Sequence, residues 1–211
     1  MDAKPIGTRV LLLSGGAVLL TETTLWLVRG GHYLVTLGLG RMVEAALILF
    51  IAFKVGEGWS SIGLGQSRLG FGLKRGLIWS AVFGIAAAMA LSGMFFVGIK
   101  PMAFFKVSLP KDTHQLALFF VVGGVIGPIA EELFFRGLLY GFLRRWGVAV
   151  AVIVSTCLFV LPHMRAQTIP LVQAVGGVVF AAAYEIEDTL MVPITIHVLG
   201  NLTLFTLSLA I

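Results

Sequence analysis

Charge is what this sequence has least of. Aspartate, glutamate, lysine and arginine make up only 12% of its 211 residues, 58% are hydrophobic, and the mean hydropathy is +1.01. Soluble domains carry about a quarter charged residues, so an ordinary soluble domain is excluded and a multi-pass integral membrane protein is expected. Cysteine is nearly missing as well. Cys157 stands alone, which rules out an intrachain disulfide, and its apolar surroundings predict a small buried filler. The chain also lacks a basic stripe. Its net charge is +5 and its pI about 9.7, but the fifteen lysines and arginines are scattered between apolar runs. They fit the edges of membrane spans and anionic headgroups, and no nucleic-acid partner is expected. There is no internal repeat and no low-complexity tail.

What is present is a series of apolar windows of the length needed to cross about 30 Å of hydrocarbon. Seven occur, at roughly 10–28, 33–53, 77–97, 116–143, 148–161, 169–184 and 190–211. They predict an all-α, polytopic transmembrane helical bundle of about 7–8 spans, forming a single domain over 1–211 with N-terminal spans at about 10–98. The fourth window is long and contains Gly123, Gly124, Gly127 and Pro128, so a break there is expected, with a new helix whose first turn carries two glutamates. Lys4 and Arg9 precede the first window, which is long and lacks a small-residue cleavage site; it reads as an anchor. The segments around Trp59 and Phe71, and around Phe104 and Phe105, read as interfacial loops. Basic residues favour a cytoplasmic N-terminus: Lys4, Arg9, Lys54, Arg68, Lys74, Arg75, Arg144 and Arg145 fall on that side, against Arg29, Lys100, Lys106, Lys111 and Arg165.

Against this background, charges inside the windows need a reason, since each costs about 2.5–3.5 kcal/mol at the centre of an inserted helix unless it is paired or hydrated. Glu22, Arg41 and Glu44 form one set. Arg41 and Glu44 are three apart and can pair, which reads as structural neutralisation. The second set lies in "GPIAEELFFRG", residues 127–137. Glu132 and Arg136 are four apart and share a helix face, so they can form a local ion pair. Glu131 points about 100° away and has no partner on its own helix.

Two later stretches supply polar groups that could meet Glu131. "FVLPH" ends at His163, and "HVLGN" sets His197 and Asn201 on one helix face. If the helices alternate in direction, the offsets from their ends put Glu131, His163 and His197 about 12–22 Å from one membrane face. They can then share an intramembrane polar cavity. A carboxylate there is a strengthened base, a neutral histidine beside it can share a water molecule and carry its proton onward, and a histidine with an asparagine amide can donate to an oxyanion. The set suits amide hydrolysis by water. No covalent nucleophile is evident, because Ser155 and Cys157 sit in no nucleophile motif.

Glu131-Glu132-x-x-x-Arg136, Phe159-x-x-x-His163 and His197-x-x-x-Asn201, in that order over a core of about 115–211, resemble the three motifs of the CPBP family of intramembrane glutamic endopeptidases. That family includes the CAAX prenyl proteases of the Ras-converting type and the bacterial Abi, or bacteriocin-processing, homologues. The resemblance implies a membrane-embedded endopeptidase of a prokaryotic cell membrane, with no metal or cofactor. Glu131 and His163 would activate water, His197 and Asn201 would stabilise the oxyanion, and Glu132 and Arg136 would support them. The partner would be a peptide or protein substrate, lipidated or not: a tripeptide beyond a prenylated cysteine, another maturing peptide, or a sorting signal.

Three rival readings use the same residues. A zinc-dependent hydrolase would take Glu131, His163 and His197 as ligands, although no H-E-x-x-H pair is present. A proton-coupled carrier would also bury such groups, but would be expected to show inverted repeats. A non-catalytic scaffold would use them only to hold helices together. Elsewhere, Glu185, Glu187 and Asp188 read as a solvated acidic turn, and His32 and His114 as solvated histidines at loop edges.

Overall fold

The computed structural model describes residues 6–28, 33–99, 107–164 and 170–210, and every regular element among them is helical. The expectations placed on Lys4, Arg29, His32, Lys100, Phe104, Phe105, Lys106 and Arg165 lie outside the described residues. Seven principal helices follow the seven apolar windows. They are α1 (Thr8–Leu27), α2 (Tyr33–Lys54), α3 (Leu69–Phe96), α4 (Thr113–Trp146), α5 (Val148–Val160), α6 (Leu171–Glu187) and α7 (Met191–Leu209). Five of them, α1 to α4 and α7, are long and apolar enough to span a membrane; α5, extended by the 3₁₀ turn Leu161–His163, and α6 are shorter. The chain is an all-α, multi-pass integral membrane protein. Large side chains such as Leu19, Trp26, Phe50, Val82, Met89, Phe95 and Ile153 point outward, as expected of helices whose outer faces meet lipid.

The fourth window is not broken. α4 runs unbroken for 34 residues, and the glycines and proline are absorbed by a π-helical stretch, Val122–Ile126, just before the α-helical turn Gly127–Glu132. A proline ring clashes with the carbonyl four residues back in a regular helix, here that of Gly124; the wider π turn relieves the clash without ending the helix. A second π-helical stretch, Leu133–Tyr140, follows. The glutamates therefore sit in the middle of a long helix, and the expected help from a helix N-terminus does not apply. Asp112 caps the true start by accepting a hydrogen bond from Gln115 N at 2.9 Å.

α4 is the axis of the bundle. Its Leu133, Leu138 and Tyr140 join Ile48 and Ala52 of α2, Ile62, Ala181 and Tyr184 of α6, and Leu190 in one buried cluster. A second cluster of Phe159, Phe180, Ala183, Val192 and Ile196 lies where α5, α6 and α7 meet. Close backbone approach fixes the outer helices: a Cβ on Gly38 of α2 would lie 2.8 Å from Val122 Cγ2, and one on Gly76 of α3 would lie 2.5 Å from Thr195 Cβ of α7.

Four expectations are corrected here. Cys157 is exposed on the outer face of α5, since a helix that is apolar all round gives no periodicity to mark its inner side. The acidic turn is not solvated. Glu187 accepts from Arg75 Nε and Nη2 (2.9 and 2.6 Å) and Trp79 Nε1 (2.8 Å), Glu185 pairs with Arg144 and Tyr140, and Asp188 pairs with Arg68. The segment around Trp59 is also more than a surface loop. Ile62 is fully buried, and Gly63 O, on a backbone with φ of 77°, accepts from Leu190 N at 2.9 Å. α3 begins at Leu69, eight residues before the expected Leu77, so it holds Lys74 and Arg75 within its first turns.

Candidate active site

The two adjacent glutamates of α4 have opposite environments. Glu132 faces the bundle and its side chain is 0% exposed, whereas Glu131 keeps 21% of its side chain exposed. Glu132 Oε1 accepts from Arg136 Nη1 at 2.8 Å, as the four-residue spacing predicts, and from His197 Nδ1 at 2.8 Å. Arg136, also 0% exposed, donates through Nη2 to Gly177 O of α6 at 3.1 Å, and its guanidinium lies over the rings of Phe159 (4.6 Å) and Phe180 (5.1 Å). Two ring faces, a carbonyl and a carboxylate compensate the buried cation. Glu132 Oε2 and Arg136 Nε have no hydrogen-bond partner among the described residues.

This buried pair fixes His197. A carboxylate can only accept, so His197 Nδ1 carries the proton toward Glu132 and the neutral ring presents a lone pair at Nε2. The ring stacks on Phe180 at 4.7 Å and 22° and meets Phe159 edge to face at 5.8 Å. Its Nε2 lies 3.9 Å from Glu131 Oε2. That is too long for a direct hydrogen bond and short enough for one water molecule to bridge. The orphan carboxylate of the sequence and the histidine 66 residues later do meet.

His163 closes the 3₁₀ turn after α5. Its Nδ1 donates to Phe159 O at 2.9 Å, which leaves the lone pair on Nε2, and its ring lies 5.0 Å from that of Phe159. Phe159 thus separates the two imidazoles, and no ion pair joins His163 to Glu131 among the described residues. Asn201, one turn after His197, also faces α4. Its Nδ2 donates to Gly123 O in the first π turn at 2.9 Å, so one of its two N–H groups already serves the backbone. Ser155 is fully buried on α5. Among the described residues no three His, Cys, Asp or Glu side chains form a metal-binding group, which leaves the zinc reading without a ligand set there.

Sequence reasoning missed the surroundings of the first charged set. Arg41 bonds Glu44 at 2.7 Å, and it also pairs with Glu22 of α1. The signal was present in three charges within apolar windows, but pairing between α1 and α2 has no fixed spacing. A cavity of about 350 Å³ opens beside this set, lined by Glu22, Thr23, Trp26, Tyr33 and Thr36 among others.

The comparisons agree with the motifs. Residues 113–203 match the family model described as Type II CAAX prenyl endopeptidase Rce1-like. The chain is 37% identical over 95 residues to the membrane-embedded CAAX protease MroQ of Staphylococcus aureus (strain USA300), an alignment covering 42% of this chain and 38% of that protein. The chain thus matches well under half the length of that relative. No solved structure matches. Residues 113–203, which hold Glu131, Glu132, Arg136, His163, His197 and Asn201, are thus similar to the Rce1-like CAAX endopeptidases.

Proposed function

We propose that the protein is a membrane-embedded endopeptidase that hydrolyses a peptide bond with water activated by Glu131. The observation that carries this reading is the 3.9 Å approach of Glu131 Oε2 to His197 Nε2, with His197 held by the buried Glu132–Arg136 pair. Glu131 takes a proton from water as the water attacks the substrate carbonyl, and the developing oxyanion needs donors. His197 accepts at Nε2 the proton that Glu131 took from water, donates it in a hydrogen bond to the oxyanion, and passes it to the leaving amine as the C–N bond breaks. Asn201 contributes the N–H that Gly123 does not use. His163, with its free lone pair at Nε2, serves as a second acceptor for the water. Hydrolysis balances: one water is consumed, one acid and one amine are released, and no metal is required.

The substrate is a peptide or protein, and the name of the relative makes a prenylated C-terminal CAAX sequence the first to test. Detergent-purified wild type and Glu131→Gln are incubated with a farnesylated CAAX peptide and with its unprenylated form, and products are read by mass spectrometry. Wild type is expected to cleave at least one, Glu131→Gln to lose about 10²–10⁴-fold in rate, and cleavage to persist in chelator. Equal cleavage by the variant removes Glu131 as base, and a requirement for stoichiometric zinc revives the metallohydrolase reading.

A further inference from the structure

The proposed hydrolysis needs His197 Nε2 to face Glu131, and the bond to Glu132 does not secure that by itself. A hydrogen bond at Nδ1, here 2.8 Å to Glu132 Oε1, fixes one point of the imidazole and leaves the ring free to turn about it. Turning re-aims the lone pair at Nε2, so a second constraint has to set the plane of the ring. Phe180 of α6 supplies one. Its ring is stacked on that of His197, with centroids 4.7 Å apart and planes 22° from parallel. Phe180 belongs to none of the three sequence motifs and is buried. Its own ring is also held: the Arg136 guanidinium lies over it at 5.1 Å, and Phe159 meets it edge to face at 6.3 Å. Gly176, one turn earlier on α6, leaves room for it, since a Cβ there would lie 3.3 Å from Phe180 Cζ.

We infer that Phe180 is a positioning residue of the site: the face of its ring holds the His197 imidazole in the plane that points Nε2 at Glu131 Oε2, 3.9 Å away. The inference rests on the proposed reaction, in which His197 carries the proton from Glu131 to the leaving amine. A flat ring is what the role requires. Leucine is apolar and nearly fills the space of phenylalanine, but it offers no surface for an imidazole to lie against, so His197 would gain freedom to turn. Phe159 cannot take this part, because it stands at 84° to His197 and presents no parallel face. The Phe180 face also attracts the imidazolium formed while His197 carries the proton.

The test has one arm without substrate and one with it. The full chain, labelled with ¹⁵N in its histidine rings, is studied by NMR in detergent micelles, and the signals lost in His197→Gln are assigned to His197. If Nε2 faces Glu131, its signal moves on Glu131→Gln. That response is expected to be lost when Glu131→Gln is made on a Phe180→Leu background and to return on a Phe180→Tyr background, which keeps the ring. In the peptide assay Phe180→Leu is expected to lower kcat by about 10-fold or more with KM changed by less than about threefold, and Phe180→Tyr to recover most of the loss. Melting curves identify variants that fold poorly, and Phe180→Met, which also lacks a flat ring, replaces Phe180→Leu if that variant is one of them. An undiminished Nε2 response in Phe180→Leu, or equal rates in the leucine and tyrosine variants, overturns the inference. If Glu131→Gln cleaves as fast as wild type, the proposed base fails, and the Nε2 response alone still decides whether Phe180 orients His197.

Discussion

At the scale of single residues, Arg136 shows how much of the site rests on a group that touches no substrate. Among the described residues it is the only Lys or Arg bonded to Glu132, and it also ties α4 to α6 through Gly177 O. Arg136→Met leaves the Glu132 carboxylate buried with His197 as its remaining partner, and removing one member of a buried pair costs about 3–5 kcal/mol. Arg136→Lys keeps the charge but loses the planar fork that meets a carboxylate, a carbonyl and two rings together, and is expected to fall between the two. Thermal unfolding in detergent micelles gives the order; wild-type stability in Arg136→Met would remove the pair's structural role. The sequence made this pair legible because its spacing of four is a property of one helix. The same spacing rule paired Arg41 with Glu44 and left Glu131 an orphan. It could not show that His197 meets both glutamates, nor that Glu22 joins Arg41, since contacts between helices have no fixed offset in the chain. His197 was therefore expected only as an oxyanion donor, whereas its bond to Glu132 first makes it an acceptor facing Glu131.

At the scale of helices, hydropathy located all seven because an apolar run of spanning length admits few other structures. Their internal form was less legible. Glycine and Pro128 suggested a break in α4, yet π turns absorb them, and Asn201 secures the first π turn through Gly123 O. Irregular pairing inside a helix depends on what a neighbouring helix can donate, which only the packed state shows. The α3–α7 contact carries a prediction of its own. Gly76 faces Thr195 with no room for a Cβ, since its Cβ would sit 2.5 Å from Thr195 Cβ and 2.8 Å from Oγ1. Gly76→Val is expected to cost about 1–3 kcal/mol by overpacking. Pairing Gly76→Ala with Thr195→Gly moves the small residue across the contact and should recover part of that loss, as read from detergent melting curves. Loss that is simply additive in the pair would mean that the close approach does not set the stability.

At the scale of the whole molecule, the question is what α1 to α3 are for, since the residues of the proposed chemistry all lie in the matched segment. Two sets of contacts answer it. α3 packs along α7, and its Arg75 and Trp79, with Arg68 just before it, grip Glu187 and Asp188 at the turn that leads into α7. α2 packs on the glutamate turn of α4 and on the π turn before it, with Gly38 against Val122. The first set holds the helix of His197 and Asn201, and the second holds the turn that carries Glu131 and Glu132. Helices that are each stable in a bilayer associate through this kind of packing, so the two parts should assemble even when the chain is divided between them. Residues 107–211 expressed alone are expected to insert but not to cleave peptide. Co-expressed with residues 1–99, they should co-purify with that fragment through a tag and regain cleavage. Gly76→Val in the 1–99 fragment should reduce the recovered complex, because it opposes the α3–α7 contact. Full cleavage by residues 107–211 alone would show instead that the first three helices contribute nothing the site requires.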